Sequence, residues 1–180
     1  MATLIDKAYF NYDVSISDSA FNDVDNWIDR YEKEILTQLL GYELCKLVAN
    51  STDLSGRLYD LINGAEYTVS HNGRDQLVKW NGLVNEDKVS LIAYYVYYQY
   101  WRHRTTLPTM TGRATPKLAN SEPSTMAVNI GESWSRLVEL YGYAGQDELA
   151  PSCYNFLLAN EADYPELVFT AIGSVNAFDL

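Results

Sequence analysis

Apolar residues recur at three- and four-residue steps through Phe21, Val24, Trp27, Ile28, Tyr31, Ile35 and Leu39. That period places them on one face of a helix. Asp23, Asp25, Asp29, Arg30, Glu32 and Lys33 fall on the other. Asp18 or Ser19 is placed to cap this helix and Gly41 to stop it. A short second helix follows at once, and a third ends at Ile62 before Asn63-Gly64. Ahead of all this, the first seventeen or so residues lack helical spacing. The alternation Tyr12-Asp13-Val14-Ser15-Ile16 reads as an extended lead-in.

The period then changes. Tyr67-Thr68-Val69-Ser70 and Leu77-Val78-Lys79-Trp80 flank His71-Asn72-Gly73-Arg74. Asn-Gly between β-prone runs predicts a hairpin over 66–80, because both turn residues need positive φ. A lone hairpin is marginal in water, so it has to lie on the helices or on a neighbour. The main helix is predicted over 86–104, with Arg102, His103 and Arg104 at the negative end of its dipole. A loop over 105–121 follows, long enough to suggest a role. Another helix starts near Ser121, with Pro123 in its first turn, and a last one covers 151–160. The expected fold is mainly α. A helical bundle with one β-hairpin insertion fills 1–145, a C-terminal helix and arm occupy 146–180, and both termini are extended arms.

Composition sharpens this picture in three ways. With 47% hydrophobic and 21% charged residues, 180 residues are enough for one buried core. Cys45 and Cys153 sit in helical patterns as small apolar residues, which suits a reducing compartment. No signal-peptide pattern opens the chain, and the apolar stretch 91–101 is too short and too rich in tyrosine to span a bilayer. The net charge of −11 disfavours general nucleic-acid binding. Fifteen tyrosines are more rings than a small core easily hides, and tyrosine is favoured at protein interfaces.

The residues offer little catalytic chemistry. His71 and His103 lie in different elements, without ligands at metal-binding spacing. The glycines form single turns and no phosphate-binding loop, and Ser133-Trp134-Ser135 lacks a nucleophile elbow. Carboxylates cluster on helix faces, and a hydrolytic pair drawn from distant positions stays open as a minor reading. No catalytic residue, cofactor or metal is expected.

Two features carry more information. In Tyr94-Tyr95-Val96-Tyr97-Tyr98-Gln99-Tyr100-Trp101 the rings fall on nearly every side of the predicted helix. Leu91, Tyr94, Tyr98 and Trp101 form one stripe, and Tyr97, Tyr100 and Arg104 another. Either the helix is central to its own core, or one stripe faces a neighbouring subunit. The second feature is that residues 89–121 contain no Asp or Glu, yet hold Arg102, Arg104, Arg113 and Lys117. Such a loop suits an acidic neighbour or DNA, or is simply solvated.

Several stretches resemble phage head–tail connector (adaptor) proteins, in the branch found in phages and prophages of gut Bacteroidetes. The first is Tyr31-Glu32-Lys33-Glu34-Ile35-Leu36-Thr37-Gln38-Leu39-Leu40-Gly41-Tyr42-Glu43-Leu44. Others are Leu61-Ile62-Asn63-Gly64 before the hairpin, Trp80-Asn81-Gly82-Leu83 after it, and Leu91-Ile92-Ala93-Tyr94-Tyr95-Val96-Tyr97-Tyr98 in the long helix. The Thr/Gly-rich loop and the helix with Trp134 also fit, so the resemblance covers about 20–145. It implies a virion protein at the head–tail junction, in a homo-oligomeric ring, usually a dodecamer, beneath the portal protein. The ring would meet the next tail or neck protein and let DNA pass without specific binding, with no membrane partner. It carries no active site. Tyr97, Tyr100, Arg104, Arg113, Lys117, Val168, Phe169 and Phe178 are the expected interface residues. The tail 163–180 is too apolar for a solvated terminus, and it is expected to dock on a neighbouring subunit. The alternatives are another junction part, such as a tail terminator or stopper, and a small nucleic-acid-binding module built on the four basic residues.

Overall fold

The computed structural model describes residues 3–16, 23–51, 55–104, 107–109, 112–114 and 124–168, with backbone alone at 104, 107–109, 112–114, 124–127 and 129. Helix α1 (Val24–Leu40) follows the predicted period, and Ile28, Tyr31, Ile35, Leu36, Leu39 and Leu40 are buried. Asp18 and Ser19 lie outside the described residues. The described helix begins after Asp23 and stops at Gly41, whose φ of 78° turns the chain directly into α2 (Tyr42–Ala49). Helix α3 (Arg57–Asn63) runs to Gly64.

Strands β1 (Ala65–His71) and β2 (Arg74–Trp80) pair antiparallel from Ala65↔Trp80 to His71↔Arg74. Asn72 and Gly73 sit at φ 52° and 73°, the two left-handed residues that the turn demands. The base of the hairpin is clamped. Gly64 and Gly82 approach so closely that a Cβ on Gly64 would fall on the Trp80 carbonyl, and one on Gly82 would fall on the Asn63 and Gly64 backbone. Val84 N donates to Ile62 O at 2.8 Å, and Trp80 Nε1 donates to Leu61 O at 3.0 Å. The two glycine-bearing motifs that flank the hairpin are therefore one structural unit.

Helix α4 (Leu91–Arg104) starts later than the predicted residue 86. Lys88 has a φ of 56°, which no helix accommodates. Asn85 closes the preceding loop by accepting from Val89 N at 3.0 Å. Ser90 Oγ then donates to Leu83 O at 2.6 Å and accepts from Ile92 N at 3.3 Å. Within the predicted loop 105–121, β3 (Leu107–Thr109) and β4 (Gly112–Ala114) form a second short ladder, and the remaining loop residues lie outside the described ones. Helix α5 (Ser124–Tyr141) packs on α4, which also packs on α1, so α4 is the middle helix of three. Helix α6 (Cys153–Ala159) is capped by Ser152, whose side chain accepts from Asn155 N, and it lies on β1. Phe156 stacks on Trp80 at 6.1 Å and meets Tyr67 edge-on at 5.5 Å. That contact supplies the support a lone hairpin needs.

The chain is mainly α with a hairpin insertion, as expected. The described parts of both termini, however, pack on the chain's own core. Ile5, Tyr9, Phe10, Val14 and Ile16 are buried, with short helical turns at Lys7–Tyr9 and Tyr12–Val14. Nor does the core end at residue 145. Leu137, Tyr141, Cys153, Phe156, Leu157 and Tyr164 belong to the same buried cluster as α1 and α4.

Candidate interaction surfaces

Ten consecutive residues of α4, from Leu91 to Tyr100, are buried. The expected interface residues Tyr97 and Tyr100 are among them, at 4% and 1% exposure. This corrects their assignment to a subunit interface. Tyr100 meets Trp27 of α1 edge-on at 5.5 Å and Trp101 at 5.4 Å, while Tyr97 meets Trp101 at 6.1 Å. On another side of the helix, Tyr98 lies 4.9 Å from the Trp134 ring of α5. Tyr95 donates to Glu34 at 2.6 Å and accepts from Gln99 Nε2 at 2.8 Å. Burial and the neighbouring carboxylate raise its pKa. Tyr31 and His103 Nε2 lie 2.9 Å apart, which ties the basic end of α4 to α1. The rings surround α4 because three elements of its own chain cover it.

The basic residues expected at an interface are not drawn together by what is described. Arg102 is exposed at the end of α4, but the side chain of Arg104 lies outside the described residues. Arg113 is placed by backbone alone, opposite Pro108 in the β3–β4 ladder, and Lys117 lies outside the described residues. The same holds for Phe169 and Phe178.

Val168 is described, and it is 64% exposed. It is held there by its own domain. Tyr164 is buried and donates from its hydroxyl to Arg57 O at 2.6 Å. Arg57 grips Glu166 with both fork nitrogens, at 2.7 and 2.8 Å, and also donates to the Asp163 carbonyl. This fork lowers the Glu166 carboxyl to about 2. Residues 163–168 therefore lie on their own domain, which corrects the expectation that an arm docked on a neighbouring subunit begins at Asp163; residues 169–180 of that arm lie outside the described ones. The physical reason is local: a ring, a bidentate ion pair and a half-buried Leu167 all find partners within the chain.

Apolar side chains do stand outward on other elements. Leu77 on β2 is 67% exposed, opposite Thr68 on β1, and four of the five residues 74–78 face solvent. Among the described residues neither outer edge of this hairpin is paired, which leaves backbone donors and acceptors available to another strand. Tyr42, at the start of α2, is 62% exposed, and Tyr12 is 86% exposed.

Between α1, α2 and the N-terminal segment runs a groove of about 350 Å³, lined by Leu4, Leu36, Thr37, Tyr42, Cys45 and Ala49 among others. Its wall depends on Glu32, which the helical pattern assigns to the solvent face. Glu32 is 7% exposed because its carboxylate accepts from Leu4 N at 2.8 and 3.0 Å and from Ile5 N at 3.1 Å. Burial raises its pKa, and the backbone donors oppose that shift. No periodic signal marks such a residue, since its partners lie 27 and 28 positions away.

Among the described residues, no group of three or more His, Cys, Asp and Glu is arranged to hold a metal. Likewise, no helix there is long and apolar enough to cross a membrane. Complete burial pushes the Cys153 thiol up to about 12, so it stays protonated at neutral pH. No family model, no curated protein and no solved structure matches the chain.

Proposed function

We propose that this protein is a structural ring subunit of a tailed-phage head–tail junction, a connector that joins the portal to the tail and surrounds the DNA channel. The observation that carries this reading is the placement of large exposed apolar side chains on separate elements: Leu77 on the hairpin, Tyr42 on α2 and Tyr12 in the N-terminal turn. A ring closes through heterologous contacts, in which one patch of a subunit meets a different patch of the next. The open edges of the β1–β2 hairpin suit such a contact, because a neighbour's extended backbone could pair with them. The glycine clamp at Gly64 and Gly82 supports the reading further. It unites two of the motifs that carry the resemblance to connector proteins and fixes the base of the hairpin on the helices. The excess of acidic residues suits a channel through which DNA slides without sticking.

Electron microscopy of the purified protein, alone and mixed with the portal protein of the same phage, tests this reading. A closed ring of identical subunits with a central channel is the expected result. Leu77→Asp should reduce the assembled fraction while leaving the subunit folded. A chain that stays monomeric in both preparations overturns the proposal. Micromolar DNA affinity with a steep salt dependence would instead favour the nucleic-acid-binding reading.

A further inference from the structure

We propose that two copies of this chain pair through the open edge of β2, antiparallel about a two-fold axis at Leu77, so that their hairpins join into one continuous sheet. This contact does not rest on the ring reading. A two-fold contact closes at two copies, and it leaves the outer edge of β1, Tyr12 and Tyr42 to other neighbours.

The backbone sets which groups are on offer. A two-residue turn makes His71↔Arg74 a hydrogen-bonded pair, and hydrogen-bonded and non-hydrogen-bonded pairs alternate from there. Asp75, Leu77 and Lys79 therefore turn their N–H and C=O groups away from β1, toward the unpaired edge. Their side chains share the outer face of the hairpin, and all are exposed. Val78 and Trp80, on the inner face, are buried under their own domain.

The order of the outer side chains chooses the partner. An acid, an apolar residue and a base follow one another at two-residue spacing. Reversed against itself about Leu77, this row sets Asp75 opposite the second copy's Lys79, Lys79 opposite its Asp75, and Leu77 opposite its Leu77. Directly opposed unlike charges stabilise a sheet, and like charges destabilise it. Neighbouring registers lose the match. An axis at Gln76 or Val78 sets Leu77 against a charged residue, and an axis at Asp75 or Lys79 sets like charges face to face. Within its own hairpin Lys79 already stands opposite Glu66, so in the joined sheet it lies between two acids. Charges on an edge strand ordinarily prevent pairing. Here their order admits a reversed copy of the same strand. Pairing also covers Leu77, which is 67% exposed in the single chain. Arg74 and Gln76 are exposed as well, so the inner face is open at the hairpin tip, where the base of the second copy's hairpin has to fit.

Sedimentation velocity of the full chain tests this. The parent should show a dimer whose share grows with concentration. Asp75→Lys and Lys79→Asp each set like charges opposite each other in their own dimer, so each alone should lose it. Mixed, the two variants should dimerise again, since every opposed pair is then of unlike charge. A monomeric parent, variants that dimerise alone as well as the parent does, or a mixture that stays monomeric overturns the proposal. Leu77→Cys keeps both charges and carries the test if a charge variant fails to fold. Residues opposed in a hydrogen-bonded pair have Cα atoms about 5.5 Å apart, within reach of a disulfide. Oxidation should therefore cross-link the Leu77→Cys chain to itself. Cross-linking only to a chain carrying Thr68→Cys overturns the proposal too, because it places β2 against β1 of the second copy.

Discussion

Helices α1 and α4 lie side by side in the same bundle, yet they meet their surroundings differently. α1 buries a continuous face and leaves Asp29, Arg30, Lys33 and Gln38 in solvent. α4 exposes nothing from Leu91 to Tyr100. On α1, Trp27 and Tyr31 stack on each other at 5.5 Å and turn their other sides to Tyr100 and Tyr95. On α4, rings leave the axis in every direction and meet α1, α5 and the Tyr12–Val14 turn in succession. The width of an apolar stripe thus tells how many sides of a helix are covered. It does not tell whether the cover comes from the same chain or from another.

The most severe test of this contrast is Tyr100→Ala. If Tyr100 is packed by its own chain, losing the ring should lower the unfolding free energy by about 3–5 kcal/mol, as for other buried aromatic truncations. Urea denaturation of the isolated protein measures this. A loss below about 1 kcal/mol would return Tyr100 to the interface role. Tyr95→Phe probes one of the contacts where the two helices touch through polar groups. It removes the hydroxyl that bridges Glu34 and Gln99 and should cost about 1 kcal/mol.

A smaller effect is expected at the tail, where the ion pair is open to water. The folded Glu166 carboxyl lies at about 2, below its ordinary value of 4.5. Its contribution to stability is therefore present above about 4.5 and lost as the pH falls through about 2. Melting temperatures of Glu166→Gln and the parent chain should differ slightly at neutral pH and converge near pH 2. A constant difference across that window would show that the ion pair is not its source. Last, Gln38→Ala on the solvent face of α1 should change stability by less than about 0.5 kcal/mol. A larger loss would mean that the open face of α1 is covered after all.

What could be read from the residues follows from the range of the physics involved. The hairpin was legible because Asn72-Gly73 is a local conformational demand between two β-prone runs. The stop of α1 at Gly41 was legible for the same reason. The start of α4 was not. Lys88 at positive φ is an unusual choice, imposed by Asn85 and by Tyr9, whose hydroxyl accepts from Asn85 N at 3.1 Å. Glu32 read as a solvated charge because its partners, the amides of Leu4 and Ile5, come from a segment with no helical period of its own.

For the surface, the balance shifts further toward tertiary structure. Composition marked an excess of tyrosine, and five of the fifteen tyrosines turned out to be spent on one central helix. The outward apolar positions, Tyr42, Leu77 and Tyr12, carry nothing in the sequence that separates them from buried neighbours such as Leu44 or Val78. Periodicity, turn chemistry and helix stops act over a few residues, so the sequence by itself determined which elements form and in what order. Burial is a sum over every element that arrives from elsewhere. Only the tertiary structure decided that α4 is enclosed, that Glu32 faces inward, and that Gly64 and Gly82 meet, because each depends on groups many positions apart.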